Sequence, residues 1–202
     1  PFDDKDVIAG QGTIAIEVIS QLNQTPDSIY IAVGGGGLIA GIAVYIKSLF
    51  PSVKIIGVEP EDANAMTKSL KEKRIISLDN VGLFADGVAV KKIGEHTFEI
   101  AQKYVDKMIT VTTDEICAAI KDVFEDTRSI LEPAGALSIA GMKKDIEENE
   151  IKKNCLVAIA CGANMNFERL RFVAERAELG ERKETMLAVE IPERAGSLVE
   201  LC

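Results

Sequence analysis

Long hydrophobic runs, clustered cations and paired cysteines are all missing from this chain, and each absence removes a class of function. No apolar stretch approaches the roughly 18–20 residues that a membrane span requires, and no signal peptide is visible in the residues present. Lysine and arginine are nowhere concentrated, and the formal net charge is −9, which argues against nucleic acid as a partner. Cys117, Cys155, Cys161 and Cys202 form no C-x-x-C pair and are too few for a disulfide framework, so a reducing, cytoplasmic compartment is expected. His96 is the single histidine. A Ser-His-Asp or Cys-His mechanism would have to use it, and its polar setting, Gly94-Glu95-His96-Thr97, reads as surface instead. Internal repeats and low-complexity tracts are absent too. With 47% hydrophobic and 27% charged residues, the chain can bury a sizeable core.

What is present is a run of four glycines, Gly34-Gly35-Gly36-Gly37, between two apolar patterns of different period. Ile29-Tyr30-Ile31-Ala32-Val33 is apolar on both faces, as a strand buried on both sides should be. Ile39, Ile42, Ala43, Ile46, Leu49 and Phe50 then recur at helical spacing. Residues without Cβ permit φ > 0 and let backbone N–H groups converge on an anion. The helix that follows adds its own unsatisfied N–H groups and the positive end of its dipole. A plain turn needs one or two glycines, and four raise the entropy of the unfolded chain, so this loop is expected to bind phosphate. On that reading a Cβ at Gly35 or Gly36 would push into the phosphate or force an unfavourable φ.

The residues of the loop leave the ligand open. Gly35, Gly37 and Ala40 also fit the G-x-G-x-x-A form of the dinucleotide fingerprint. Glu59 stands 59 − 37 = 22 residues beyond Gly37, near where a ribose-binding acid belongs. On this alternative the chain is an NAD-dependent dehydrogenase with a Rossmann-type loop. The fingerprint explains neither the fourth glycine nor Gln11-Gly12-Thr13, and Glu59 is followed by Pro60.

Strands and helices alternate, which predicts a parallel α/β sheet. Helices are expected over residues 12–22, 38–49, 63–73 and 93–104, from Thr113, and from Pro133, whose fixed φ suits a first turn. Thr113 and Ile116 make only half a capping box there. Strands are expected over 29–33, 54–58, 108–111 and 155–160, the last fully apolar and therefore central. Residues 75–87 read as a long connection, and the charge run 145–153 as a solvated helix end. After Phe167 the composition becomes charged, with Gly180 as the expected C-cap of a helix and a further strand over 185–191.

An ordered series of motifs spans nearly the whole chain: Pro1-Phe2-Asp3-Asp4, Ile8-Ala9-Gly10-Gln11-Gly12-Thr13, Val33-Gly34-Gly35-Gly36-Gly37-Leu38, Val58-Glu59-Pro60-Glu61-Asp62, Phe84-Ala85-Asp86-Gly87-Val88-Ala89-Val90, Glu132-Pro133-Ala134-Gly135-Ala136 and Gly162-Ala163-Asn164-Met165-Asn166-Phe167. This series resembles the threonine dehydratases, pyridoxal-phosphate (PLP) lyases of the tryptophan-synthase-β-like fold, also called fold type II. The resemblance implies a parallel twisted α/β sheet and a homotetramer. It also implies deamination of L-threonine, and of L-serine, to 2-oxobutanoate or pyruvate and ammonia, the first step of isoleucine biosynthesis.

The same resemblance assigns expected roles. Gly34, Gly35, Gly36, Gly37 and Leu38 would hold the PLP phosphate. Cys161 would face the pyridine nitrogen as a neutral hydrogen-bond partner, with Gly87 passing close to the ring and Glu132, read as ending a helix, near it. Cys at position 161 is the choice seen in serine dehydratases, where threonine dehydratases usually carry Ser. Glu59 and the Ala63 carbonyl resemble part of a divalent-cation site in serine racemases, but Ala65 stands where an Asp completes that site, so no metal is expected. The family's PLP lysine lies in a Ser-Phe-Lys setting that does not occur here, so no lysine of this chain is assigned that role. The chain is expected to be an internal fragment, inactive alone. Residues 1–182 would form the second half of the catalytic domain, and residues 183–202 would begin an ACT-like regulatory domain.

Overall fold

The computed structural model describes residues 2–152, 154–185, 189–190, 194 and 199. At its centre lies a parallel sheet whose four strands among the described residues are β1 (Ser28–Ala32), β2 (Lys54–Pro60), β3 (Lys107–Val111) and β4 (Leu156–Ala158), in the spatial order β3-β2-β1-β4. The helices are α1 (Lys5–Gln11), α2 (Thr13–Gln21), α3 (Gly37–Leu49), α4 (Ala65–Glu72), α5 (Glu95–Tyr104), α6 (Thr113–Thr127), α7 (Pro133–Glu148) and α8 (Arg169–Gly180).

The two-residue period of β1 builds two cores at once. Ile29, Ile31 and Val33 face one side with Ile55, where Ile39, Ile42 and Ile46 of α3 and Phe98 and Ala101 of α5 cover them. Tyr30 and Ala32 face the other with Ile56 and Val58, under Ile116 and Ile120 of α6, Leu137 of α7 and Val173 of α8. Helices therefore cover both faces of the sheet, as continuous apolar strands require.

A polar cluster around Asp145 is buried within this arrangement. The Tyr30 hydroxyl donates to Asp145 Oδ2 at 2.6 Å, while Lys107 pairs with Asp145 Oδ1 and Asn149 Nδ2 donates to it at 2.9 Å. Burial disfavours the Asp145 charge, yet Lys107, Tyr30 and Asn149 together hold its carboxyl below the usual carboxylate range. The run 145–153 is thus not wholly solvated, since its first residue ties α7 to β1 and β3.

Three further expectations are corrected, and one helix is added. The N-cap of α6 is Thr112, not Thr113: its Oγ1 accepts the Glu115 N–H at 3.1 Å, and Glu115 Oε2 accepts the Thr112 N–H at 2.7 Å, a complete capping box. β4 has no second partner strand among the described residues. It lies beside β1 at the edge, half-buried, because its apolarity serves both faces and says nothing about its outer edge. Gly180 is the last residue of α8 and not its cap. A Cβ there would lie 2.1 Å from the Asp114 carbonyl oxygen, so the glycine permits close packing of α8 on α6. α1 was not expected at all, although Asp4 marks it: its Oδ1 accepts the N–H groups of Asp6 at 2.9 Å and Val7 at 3.3 Å. The strand expected over 185–191 and the ACT-like segment 183–202 lie largely outside the described residues. No helix among the described residues is long and apolar enough to cross a membrane.

Candidate active site

Strand order reverses at β1. From β1 the chain moves outward through β2 to β3, then returns to place β4 on the opposite side of β1. Open parallel sheets bind ligands beyond the carboxyl ends of their strands at such a reversal. A cleft of about 410 Å³ lies at this position. Its wall includes Gly34, Gly35, Gly36, Gly37, Leu38, Gly87, Glu132, Cys161 and Gly162, together with Phe2, Gln11 and Ala134. The residues to which the resemblance assigns cofactor contacts, Gly34 to Leu38, Gly87, Glu132 and Cys161, are therefore in one cleft, drawn from four separate stretches of chain.

The first wall is the loop between β1 and α3. Gly36, the N-cap of α3, has φ 95° and ψ 0°, a conformation open to glycine and strained for other residues. Among the described residues, no N–H from Gly34 to Ile39 has an acceptor, the first intrahelical bond being Ala40 N–H to the Gly36 carbonyl at 3.0 Å. An anion at the cleft end of this loop would meet backbone donors and the helix N-terminus together. The expected φ penalty holds at Gly36, but the expected clash is corrected, because protein atoms would meet either Cβ first. At Gly35 it would come within 2.2 Å of the Phe2 ring, and at Gly36 within 2.7 Å of Met66 Cε and 2.9 Å of Thr97 Cβ.

The second wall joins the start of α7 to the segment after β4. Glu132 is the N-cap of α7 in extended conformation, not the end of a helix, and Pro133 takes the first helical position. The Glu132 N–H donates to the Gly162 carbonyl at 3.2 Å, and Ser138 Oγ donates to the Ile159 carbonyl at 2.7 Å. A Cβ at Gly135 would lie 2.2 Å from the Cys161 carbonyl oxygen, so only glycine allows α7 to pack this closely. The Glu132 carboxylate lies over Gly162, whose φ is +91°, and 3.8 Å from where a Cβ on Gly87 would be. Burial pushes the Cys161 thiol up in pKa, and the nearby Glu132 charge pushes it further. Cys161 is therefore held as a thiol, able to donate or accept a hydrogen bond without carrying charge.

Glu59 is not part of this cleft. It is fully buried, with Oε1 accepting the Met66 N–H at 2.8 Å and Oε2 accepting the Thr67 N–H at 2.8 Å and the Thr67 hydroxyl at 2.6 Å. Burial raises its pKa to about 7 against these three hydrogen bonds. Sealed from solvent and outside the cleft, it is out of reach of a ribose hydroxyl, which removes the acid that the dehydrogenase alternative needs. Among the described residues no three His, Cys, Asp or Glu side chains are placed to hold a metal ion. His96 is half-buried beside a larger hollow of about 610 Å³ between α1, α2, α3 and α5, lined mostly by apolar side chains such as Ile8, Ile16 and Val44. No lysine lines the glycine-loop cleft among the described residues.

The family model for pyridoxal-phosphate dependent enzymes matches residues 1–162. The chain belongs to this family. Curated relatives include the L-threonine dehydratase biosynthetic IlvA of Burkholderia multivorans, 54% identical over 100% of this chain and 40% of the relative. The mitochondrial threonine dehydratase of Schizosaccharomyces pombe is 57% identical over 100% of this chain and 34% of its own length. Among solved structures, the processed form of threonine deaminase isoform 2 from Solanum lycopersicum aligns with a TM-score of 0.87 at 51% identity, covering 89% of this chain and 49% of that one. The chain thus spans well under two thirds of the relatives it matches. The sheet and helices are those of fold type II, as the resemblance implied.

Two features of the residues pass unnoticed in the sequence. Asp3 and Asp4 cap two different helices, Asp3 accepting the N–H groups of Glu95 at 2.9 Å and Thr97 at 3.1 Å on α5. Phe2 packs on the glycine loop. Only the N-cap preference of Asp hinted at either role.

Proposed function

We propose that this chain carries part of the active site of a threonine ammonia-lyase, which converts L-threonine to 2-oxobutanoate and L-serine to pyruvate, releasing ammonia. The observation that carries the reading is identity above 50% over the whole chain to proteins named threonine dehydratase, since a fold alone does not give a reaction. The cleft fits PLP through its N–H groups without acceptors and its half-buried thiol. When bound, PLP withdraws electrons from the Cα–H bond of an attached amino acid so that the β-hydroxyl leaves as water. In this reading Gly34 to Leu38 hold the phosphate through backbone donors. Cys161 meets the ring nitrogen as a neutral partner, and Gly87 leaves room beside the ring. Glu132, across from Cys161, keeps that thiol protonated and bounds the substrate end of the cleft. The dehydrogenase alternative has no comparable support, because Glu59 is sealed.

The wider reading places residues 1–182 in the catalytic domain, residues 183–202 at the start of an ACT-like domain, and the whole protein in a homotetramer within a reducing, cytoplasmic compartment. The three described cysteines, all free, agree with the compartment. The test is 2-oxobutanoate formation from threonine by the intact enzyme. Cys161→Ser is expected to keep most activity, since a hydroxyl makes the same neutral hydrogen bond. Cys161→Asp is expected to protonate the ring nitrogen and divert turnover to transamination. Loss of nearly all activity in Cys161→Ser, with PLP still bound, would refute the assigned role of the thiol.

A further inference from the structure

Behind the glycine loop, on the side away from the cleft, stands Thr97 in the first turn of α5. It is fully buried and forms no part of the cleft wall. Its hydroxyl donates to the Gly35 carbonyl at 2.8 Å and also lies 3.2 Å from the Gly94 carbonyl. Gly94 already receives the Phe98 N–H at 3.1 Å, whereas the buried Gly35 carbonyl has no other donor among the described residues. The two acceptors are therefore not equivalent, and the bond to Gly35 is the one that matters for the loop.

We propose that Thr97 is a positioning residue for the phosphate group: by fixing the Gly35 carbonyl from behind, it turns the Gly36 N–H into the cleft. The inference rests on the loop being the phosphate site. The peptide linking Gly35 to Gly36 is trans and planar, so its C=O and N–H point to opposite sides. A carbonyl directed at α5 leaves the N–H directed away from α5, where the cleft lies. Glycines on both sides of this peptide give it little conformational preference of its own. A flipped peptide would aim the carbonyl dipole at the anion and remove a donor in the same step. Thr97 holds the peptide in the binding orientation before any ligand arrives. Its own place is set from a distance, because Asp3 accepts the Glu95 and Thr97 N–H groups and so supplies the cap that Gly94 lacks.

The intact enzyme, freed of cofactor, is titrated with PLP and with pyridoxal, which lacks the phosphate. Thr97→Val is expected to raise the PLP dissociation constant about tenfold, with Thr97→Ser within about twofold of the parent and pyridoxal affinity level across all three proteins. If Thr97→Val binds PLP as tightly as the parent, or loses PLP and pyridoxal in equal measure, the positioning role is wrong. If the parent itself binds pyridoxal as tightly as PLP, the phosphate reading of the loop fails, and the inference falls with it. Should Thr97→Val not fold, Thr97→Ala removes the same donor without new bulk and carries the same comparison.

Discussion

Replacing Glu59 with glutamine removes a titrating group that the fold has sealed on every side. The parent carboxyl titrates at about 7 in the native state against an ordinary value of 4.5. Between these values the native state binds a proton that the unfolded chain does not, so its contribution to stability is full below 4.5 and is lost as pH rises through 7. A shift of 7 − 4.5 = 2.5 units corresponds to roughly 3 kcal/mol at about 1.4 kcal/mol per unit. Hydrogen bonding acts the other way in the variant. A protonated carboxyl keeps an accepting lone pair on both oxygens, whereas the glutamine NH2 has none and must face a backbone or hydroxyl donor from Met66 or Thr67. That conflict is worth about 1–3 kcal/mol. At pH 5 the parent is therefore expected to be the more stable protein by about 1–3 kcal/mol, and near pH 8 the variant draws level or overtakes it. Urea denaturation of both apo-proteins between these pH values measures the difference directly. A difference that does not change with pH would refute the argument. It would mean that the three hydrogen bonds outweigh burial and hold Glu59 ionised throughout.

Two further substitutions probe the junction between α7 and the segment after β4. Gly135→Ala places a Cβ 2.2 Å from the Cys161 carbonyl oxygen and 2.4 Å from that of Gly162, both backbone atoms, so α7 must shift. A loss of about 1–3 kcal/mol and weaker PLP retention are expected, and an unchanged melting temperature with full retention would show the contact to be loose. Glu132→Gln removes the charge that helps hold Cys161 as a thiol, so alkylation of Cys161 by iodoacetamide at pH 8, followed by mass spectrometry, is expected to quicken. Equal rates in parent and variant would eliminate that charge as a cause.

Much of the framework was legible because periodicity is a local property. The alternation of Ile29, Ile31 and Val33 with Tyr30 and Ala32 announced two buried faces, and the structure covers both. The glycine run announced a strand-to-helix turn able to take an anion, and Gly36 occupies the expected positive φ. Three things escaped. The capping box of α6 was misplaced by one residue, since Thr112 and Thr113 offer the same hydroxyl and only backbone geometry separates them. The short β4 was taken as central because apolarity reports buried faces and not paired edges. Asp3 looked like any surface acid, because its partners Glu95 and Thr97 are more than ninety positions away. The joint presence of Gly87, Glu132 and Cys161 in one cleft was expected only through the family resemblance. No spacing rule connects residues that meet through tertiary packing alone.

The pairing of β1 with β4 also sets a timetable. The glycine loop and Cys161 face one cleft, yet they are 161 − 35 = 126 residues apart in the chain. A ribosome adding about 5–20 residues per second delivers the second wall roughly 6–25 s after the first. Throughout that interval β1 can pair with β2 on one side while its other edge, bearing Ile29 and Tyr30, waits for Val157 and Ala158. An apolar strand with an open edge is a template for the wrong partner. That edge is therefore expected to lack its β4 partner until residues 156–158 emerge, and the cleft that would take the cofactor gains its second wall only then.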